Sequence, residues 1–148
     1  MKVWQLIRQA GSLDVNSPYC YIMLCDYFRR TCVVAEENGE TVGFLSAYRA
    51  PDREDTLFIW QVAVANTHRG RGLGKTMIKT VLEREACRGV RYLETTVTPS
   101  NIASRRMFFG LAAELQTICE SEQGYEERFF PQESRHEPER LFRIGPLA

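Results

Sequence analysis

Phe58-Ile59-Trp60-Gln61-Val62-Ala63-Val64-Ala65-Asn66-Thr67-His68-Arg69-Gly70-Arg71-Gly72-Leu73-Gly74-Lys75-Thr76 decides how this chain folds. The segment Leu57 to Ala65 is rich in β-branched and aromatic residues and reads as a strand. Lys75 to Glu85 places Met77, Ile78, Val81 and Leu82 at helical spacing, so a helix follows. Between them, Asn66 to Gly74 is a loop rich in Gly and Arg. Glycines at alternate positions let successive backbone N–H groups turn toward one point, and the helix behind adds the positive end of its dipole. Arg69, Arg71 and Lys75 add charge. The turn is therefore suited to a pyrophosphate or phosphate ester. A Walker loop would need its first glycine at position 69, which is Arg69, and a dinucleotide fingerprint would need its last at position 75, which is Lys75. A merely flexible basic turn leaves three glycines at a helix start unexplained.

On the N-terminal side, Val3, Leu6 and Ile7 share one face of a short helix that Gly11 ends. Ser12 to Ser17 is a loop. Ser17-Pro18 then has the form of a helix cap followed by a first-turn proline, opening a helix over Tyr19 to Phe28. Thr31 to Glu36 reads as a strand, Asn38-Gly39 as a hairpin turn and Thr41 to Tyr48 as the return strand. Pro51 to Asp55 is a charged turn before the strand of the opening stretch. On the C-terminal side, Tyr92 to Val97 is a strand and Asn101 to Leu111 a helix. Glu120 to Glu137 reads as a long polar loop, and Leu141 to Ile144 as a last short strand that Glu139 starts. Hairpins come first and strand–helix alternation follows, which predicts an α/β domain with a mixed, partly antiparallel sheet flanked by helices. At 148 residues, with no repeats and no long linker, positions 1–148 are expected to form a single domain.

Charge narrows the partners. Nineteen basic and nineteen acidic residues cancel, whereas a dedicated nucleic-acid binder carries a basic excess. No apolar run is long enough for a membrane span, and the N-terminus has no signal-peptide pattern. The expected location is cytoplasmic, with neither nucleic acid nor membrane as partner. Five cysteines without a Cys-x-x-Cys pair, and two distant histidines, give neither a disulfide framework nor a metal site. They read as buried or incidental thiols.

Arg69-Gly70-Arg71-Gly72-Leu73-Gly74, following Gln61-Val62-Ala63-Val64, resembles the signature of the GNAT acetyltransferases. The resemblance implies acetyl-CoA as co-substrate and no metal. Backbone amides from Arg69 through Gly70, Arg71, Gly72, Leu73 and Gly74 to Lys75 would hold the pyrophosphate. Val62, Ala63 and Val64 would run beside the pantetheine arm, with an N–H near Val62 facing the thioester oxygen. Asn101, Ser104 and Arg105 look like the second coenzyme-contacting helix. Two departures stand out. Where many members carry a tyrosine seven residues after that asparagine, this chain has Phe108, which cannot protonate a thiolate. The chain also opens almost inside the first helix, where members usually begin with a strand: either that strand is missing, or residues upstream are not part of this chain.

Further segments sharpen the resemblance: Leu13-Asp14-Val15-Asn16-Ser17-Pro18-Tyr19, Pro51-Asp52-Arg53, Thr95-Thr96-Val97-Thr98-Pro99-Ser100-Asn101 and His136-Glu137-Pro138-Glu139-Arg140-Leu141. In this order they resemble the L-2,4-diaminobutyrate acetyltransferases of ectoine synthesis. That family implies a homodimer and a small diamine acceptor, with Asp14 and Glu139 in regions flanking the acceptor cleft. Trp60 and Tyr19 would wall the methylene chain. An alkyl ammonium of pKa about 10.4 must lose a proton, at about 4–5 kcal/mol near neutral pH. Glu139 is the expected base or water-orienting group, His136 the second candidate, and Asp14 the partner of the other ammonium, with Asp14 and Glu139 able to exchange roles. The plainer readings are a turn residue for Asp14, core for Trp60 and a solvated charge run for His136-Glu137. Competing functions are acetylation of another amine (a polyamine or a protein N-terminus), a non-catalytic acyl-CoA-binding module and, least supported, a basic nucleic-acid module.

Overall fold

The structure is a computed structural model that describes residues 1–148. The chain divides into two compact units, Met1–Gly89 and Val90–Ala148.

In the first unit, helix α1 spans Lys2–Ala10 and buries Val3, Leu6 and Ile7, each worth about 2 kcal/mol of apolar burial. Gly11 ends it in the left-handed conformation, φ 72°. Ser17 accepts the Cys20 N–H at 3.2 Å and so caps α2, Pro18–Tyr27, with Pro18 in the first turn. Strands β1 (Val33–Glu37), β2 (Glu40–Ala50) and β3 (Arg53–Val64) form an antiparallel meander. Its first hairpin turns at Asn38 and Gly39, both at positive φ as a tight two-residue turn requires. Helix α3, Leu73–Leu82, follows the glycine turn.

Alternation along β2 sorts the helices. Phe44 belongs to the core cluster built on α1 and α2. Its neighbour Gly43 faces α3, where an added Cβ would meet Met77 Sδ at 3.0 Å. Adjacent strand residues point to opposite faces, so α1 and α3 cover opposite sides of this meander. Close approach of α3 at Gly43 sets where its N-terminus emerges.

The second unit holds β4 (Tyr92–Val97), α4 (Ile102–Glu114), β5 (Ile118–Tyr125) and β6 (Glu139–Gly145). Strand β6 lies between β4 and β5, antiparallel to both. Phe109 of α4 packs on Phe142 of β6 with ring centroids 5.5 Å apart.

Several boundaries differ from the sequence reading. Strand β3 already begins at Arg53, because Pro51-Asp52 suffices for the turn. Thr31 lies before β1, its hydroxyl bonded to the Ala47 carbonyl at 2.5 Å. Gly74 is not a loop residue: Gly72 ends the turn, and Gly74 sits buried in the first turn of α3. The largest correction is β5, most of which lies in what reads as a long polar loop from Glu120 to Glu137. It pairs with β6 while its side chains stay mostly exposed, so no apolar alternation marks it. At its end Gly124 crosses β6 so closely that a Cβ would lie 2.3 Å from the Glu139 carbonyl oxygen.

Candidate active site

The glycine turn is open. Arg69, Gly70, Arg71 and Gly72 are all exposed. Gly70 and Gly72 have φ of 78° and 72°, and a Cβ at either would meet nothing within 4 Å. The backbone conformation, rather than lack of room, is what calls for glycine there. Gly72 is the N-cap of α3, and no side chain caps the helix. The Gly72 carbonyl instead accepts from the N–H and hydroxyl of Thr76, both at 3.0 Å. A helix start offered to solvent in this way suits an anion. Two braces hold it. Arg69 donates to the Ala10 carbonyl at 3.1 Å, so its side chain reaches the end of α1. His68 bonds the Glu37 carboxylate through Nε2 and the Thr67 hydroxyl through Nδ1. Before the turn, Val62, Ala63 and Val64 pair with Leu45, Phe44 and Gly43 of β2.

Trp60 is not core. The register runs from Ser46↔Gln61 to Ala47↔Ile59, so Trp60 is the extra residue of a β-bulge. Its side chain is 42% exposed, between buried Ile59 and Gln61. The bulge also frees the Gln61 N–H from the ladder; it donates to the Ser46 hydroxyl at 3.1 Å. Gln61, which the sequence reading passed over, then organises the loop before α2. Its Nε2 donates to the Asp14 carbonyl at 2.7 Å, and its Oε1 accepts from the Tyr21 hydroxyl at 3.0 Å. The Tyr21 oxygen accepts the Asn16 N–H at 3.2 Å. Asp14 therefore lies in a turn tied to the strand segment that presents Trp60, with its own side chain exposed. Tyr19, in the first turn of α2, is also exposed. The available signal was a lone amide at an inward position between Ile59 and Ala63.

In the second unit, His136 and Glu139 come together, with Nε2 and Oε1 3.9 Å apart and both side chains largely shielded. The ring of His136 stacks on Phe130, centroids 4.0 Å apart. Its Nδ1 is 2.5 Å from the Glu137 carbonyl oxygen. A carbonyl only accepts, so Nδ1 carries the hydrogen, and Nε2 faces Glu139 as a lone pair when the ring is neutral and as a donor when it is protonated. Glu137 is no solvated charge: its carboxylate accepts the Ser100 N–H at 3.2 Å and the Ser100 hydroxyl. One residue later, Asn101 caps α4 by accepting the Ser104 N–H at 3.2 Å. The His136–Glu139 pair and the start of α4 are thus joined through Glu137.

Other chemistry finds little support. Phe108 is buried. All five cysteines are free thiols, and burial pushes Cys25, Cys32, Cys87 and Cys119 above the ordinary thiol range, away from the reactive thiolate. No three His, Cys, Asp or Glu side chains gather where a metal could sit, and no helix is long and apolar enough to cross a membrane.

Residues 2–111 match the Acetyltransferase (GNAT) family. The chain belongs to the GNAT acetyltransferase family. It is 52% identical over 145 residues to the L-2,4-diaminobutyric acid acetyltransferase of Shouchella clausii, covering 98% of this chain and 80% of that protein. Among solved structures, the diaminobutyrate acetyltransferase of Paenibacillus lautus, in complex with its substrate L-2,4-diaminobutyric acid and coenzyme A, superposes with a TM-score of 0.95. Identity there is 53%, over 98% of this chain and 87% of that one. The NatC complex bound to Gag peptide and CoA shares the fold alone, with a TM-score of 0.72 at 18% identity over 99% of this chain and 89% of that one. As a GNAT acetyltransferase the chain is an acyltransferase with that family's mixed α/β fold.

Proposed function

We infer that this chain is an acetyl-CoA-dependent N-acetyltransferase that acetylates the side-chain (γ) amine of L-2,4-diaminobutyrate, giving N-γ-acetyl-diaminobutyrate for ectoine synthesis. The observation that carries this is the likeness to the Paenibacillus lautus enzyme solved with that diamine and coenzyme A, at 53% identity over 98% of this chain. Acetyl-CoA is the co-substrate. The expected setting is a cytoplasmic homodimer serving osmoadaptation, with positions 1–148 acting as one catalytic domain.

The chemistry distributes over residues as follows. Amides of the turn from Arg69 to Gly72 and of the first helical residues Leu73, Gly74 and Lys75 bind the diphosphate at the uncapped start of α3. Arg69 contributes through its main chain, its guanidinium being used on Ala10. Val62, Ala63 and Val64 line the pantetheine arm, and Asn101 and Ser104 shape the second coenzyme-binding turn. Asp14 receives the α-ammonium, with Trp60 and Tyr19 along the methylene chain. Glu139 takes a proton from the γ-ammonium, and the His136 Nε2 lone pair shares it. The neutral amine attacks the thioester carbonyl, the adduct nitrogen gives its second proton to water, the C–S bond breaks, and coenzyme A leaves as a thiolate that takes up a proton through water. Shielding of the Glu139 carboxyl and its imidazole neighbour support that division; the Asp14 side chain, exposed, suits pairing rather than proton transfer.

The test is a thiol-release assay over diaminobutyrate, ornithine, lysine and polyamines, with mass analysis of the product. Diaminobutyrate should be the best acceptor and carry the acetyl group on its γ-nitrogen. A preference for spermidine or peptides would replace the assigned acceptor. Coenzyme binding without thiol release from any amine would make the chain a binding module.

A further inference from the structure

We propose that Gln61 sets acceptor specificity by fixing the position of Asp14, and so determines how well the protein distinguishes a diamine from a monoamine. Both ends of its amide are engaged. Because the Asp14 carbonyl can only accept, the amide must present its NH2 to Asp14 and its oxygen to Tyr21. Tyr21 is 0% exposed and Gln61 5%. Inside the protein such a hydrogen-bond chain is stiff, since breaking one member leaves its partner buried and unpaired. The strand end is equally fixed, the Gln61 N–H being held by buried Ser46. One side chain therefore transmits the geometry of the bulge at Trp60 to the turn that carries Asp14. The residue touches no reacting atom. It acts through the placement of the Asp14 carboxylate, and the inference rests on the reading of Asp14 as partner of the α-ammonium.

An isosteric change separates this role from general support. In Gln61→Glu, one carboxylate oxygen still accepts from Tyr21, while the other faces the Asp14 carbonyl and repels it. The KM for diaminobutyrate should rise roughly tenfold, as expected for one lost buried hydrogen bond. The kcat at saturation and the KM for acetyl-CoA should stay within about twofold of wild type. The competitive inhibition constant of 4-aminobutyrate, which lacks the α-ammonium, should not move. Lowering the pH protonates the introduced carboxyl and restores a donor toward Asp14, so the ratio of variant to wild-type KM should narrow on the acid side. Tyr21→Phe, which removes only the hydroxyl behind the amide, should give a smaller change of the same kind and serves if Gln61→Glu does not fold. Asp14→Asn supplies the reference. If it leaves the preference for diaminobutyrate over 4-aminobutyrate intact, the reading of Asp14 fails. If it erases that preference while the folded Gln61 and Tyr21 variants retain it, the positioning role of Gln61 is overturned. A parallel rise in all three constants would also overturn it, marking Gln61 as structural support alone.

Discussion

Asp14 and Glu139 are both carboxylates assigned to ammonium groups, yet the protein holds them in opposite ways. At Asp14 the main chain is clamped, through a buried glutamine and a buried tyrosine, while the residue itself lies at the exposed surface. At Glu139 the side chain is itself sheltered, 20% exposed, beside an imidazole whose tautomer a carbonyl fixes. An ion-pair partner needs only a defined place, because the attraction tolerates water. A proton acceptor needs its competitors kept away and its neighbours in a set protonation state. The contrast explains why two chemically identical groups need not be interchangeable.

The largest effect should come from Glu139→Gln. Turnover should fall by roughly two to four orders of magnitude, the range of general base catalysis, while acetyl-CoA binding by calorimetry stays as in wild type. Unchanged turnover would remove Glu139 from the chemistry, and a larger kcat loss in Asp14→Asn would exchange the two roles. Next comes Gly72→Val. Forcing a β-branched residue to φ 72° costs about 1–2 kcal/mol in the left-handed region, enough to distort the turn. The apparent constant for acetyl-CoA should rise about tenfold, and an identical titration would refute the anion-binding role of the turn. Glu137→Ala should have the smallest effect, a loss of roughly threefold to tenfold in kcat from freeing Ser100. Its double mutant with Ser100→Ala should be no worse than either single change. Additive losses would show that the Glu137–Ser100 bond does not connect α4 to His136.

Glycines and caps carried most of what the sequence made legible. Gly11, Ser17-Pro18, Asn38-Gly39 and the turn at Gly70 and Gly72 each have a local backbone reason, so their neighbours fell into place. Strand β5 escaped because its stability comes from pairing with β6 while Glu120, Glu122 and Gln123 point to water. Trp60 was ambiguous because a bulge reverses the inside–outside phase, and neighbouring residues alone do not announce one. Gln61 and Glu137 were missed for a shared reason. Each acts by a long-range hydrogen bond, to Asp14 and Ser100, 47 and 37 positions away, and no local spacing encodes such a bond.

The extra residue in β3 makes strand length, as well as side-chain identity, a determinant of this protein. Shortening the chain by one position at Trp60 would bring Ile59 directly before Gln61, opposite consecutive residues of β2. Both would stay buried, because Ser46 and Ala47 are themselves consecutive and buried beneath opposite faces of the meander; what would be lost is the outward position between them. An indole at this point can be exchanged for another ring, but deleting the position would turn the bulge into regular ladder and leave no side chain to stand out between Ile59 and Gln61.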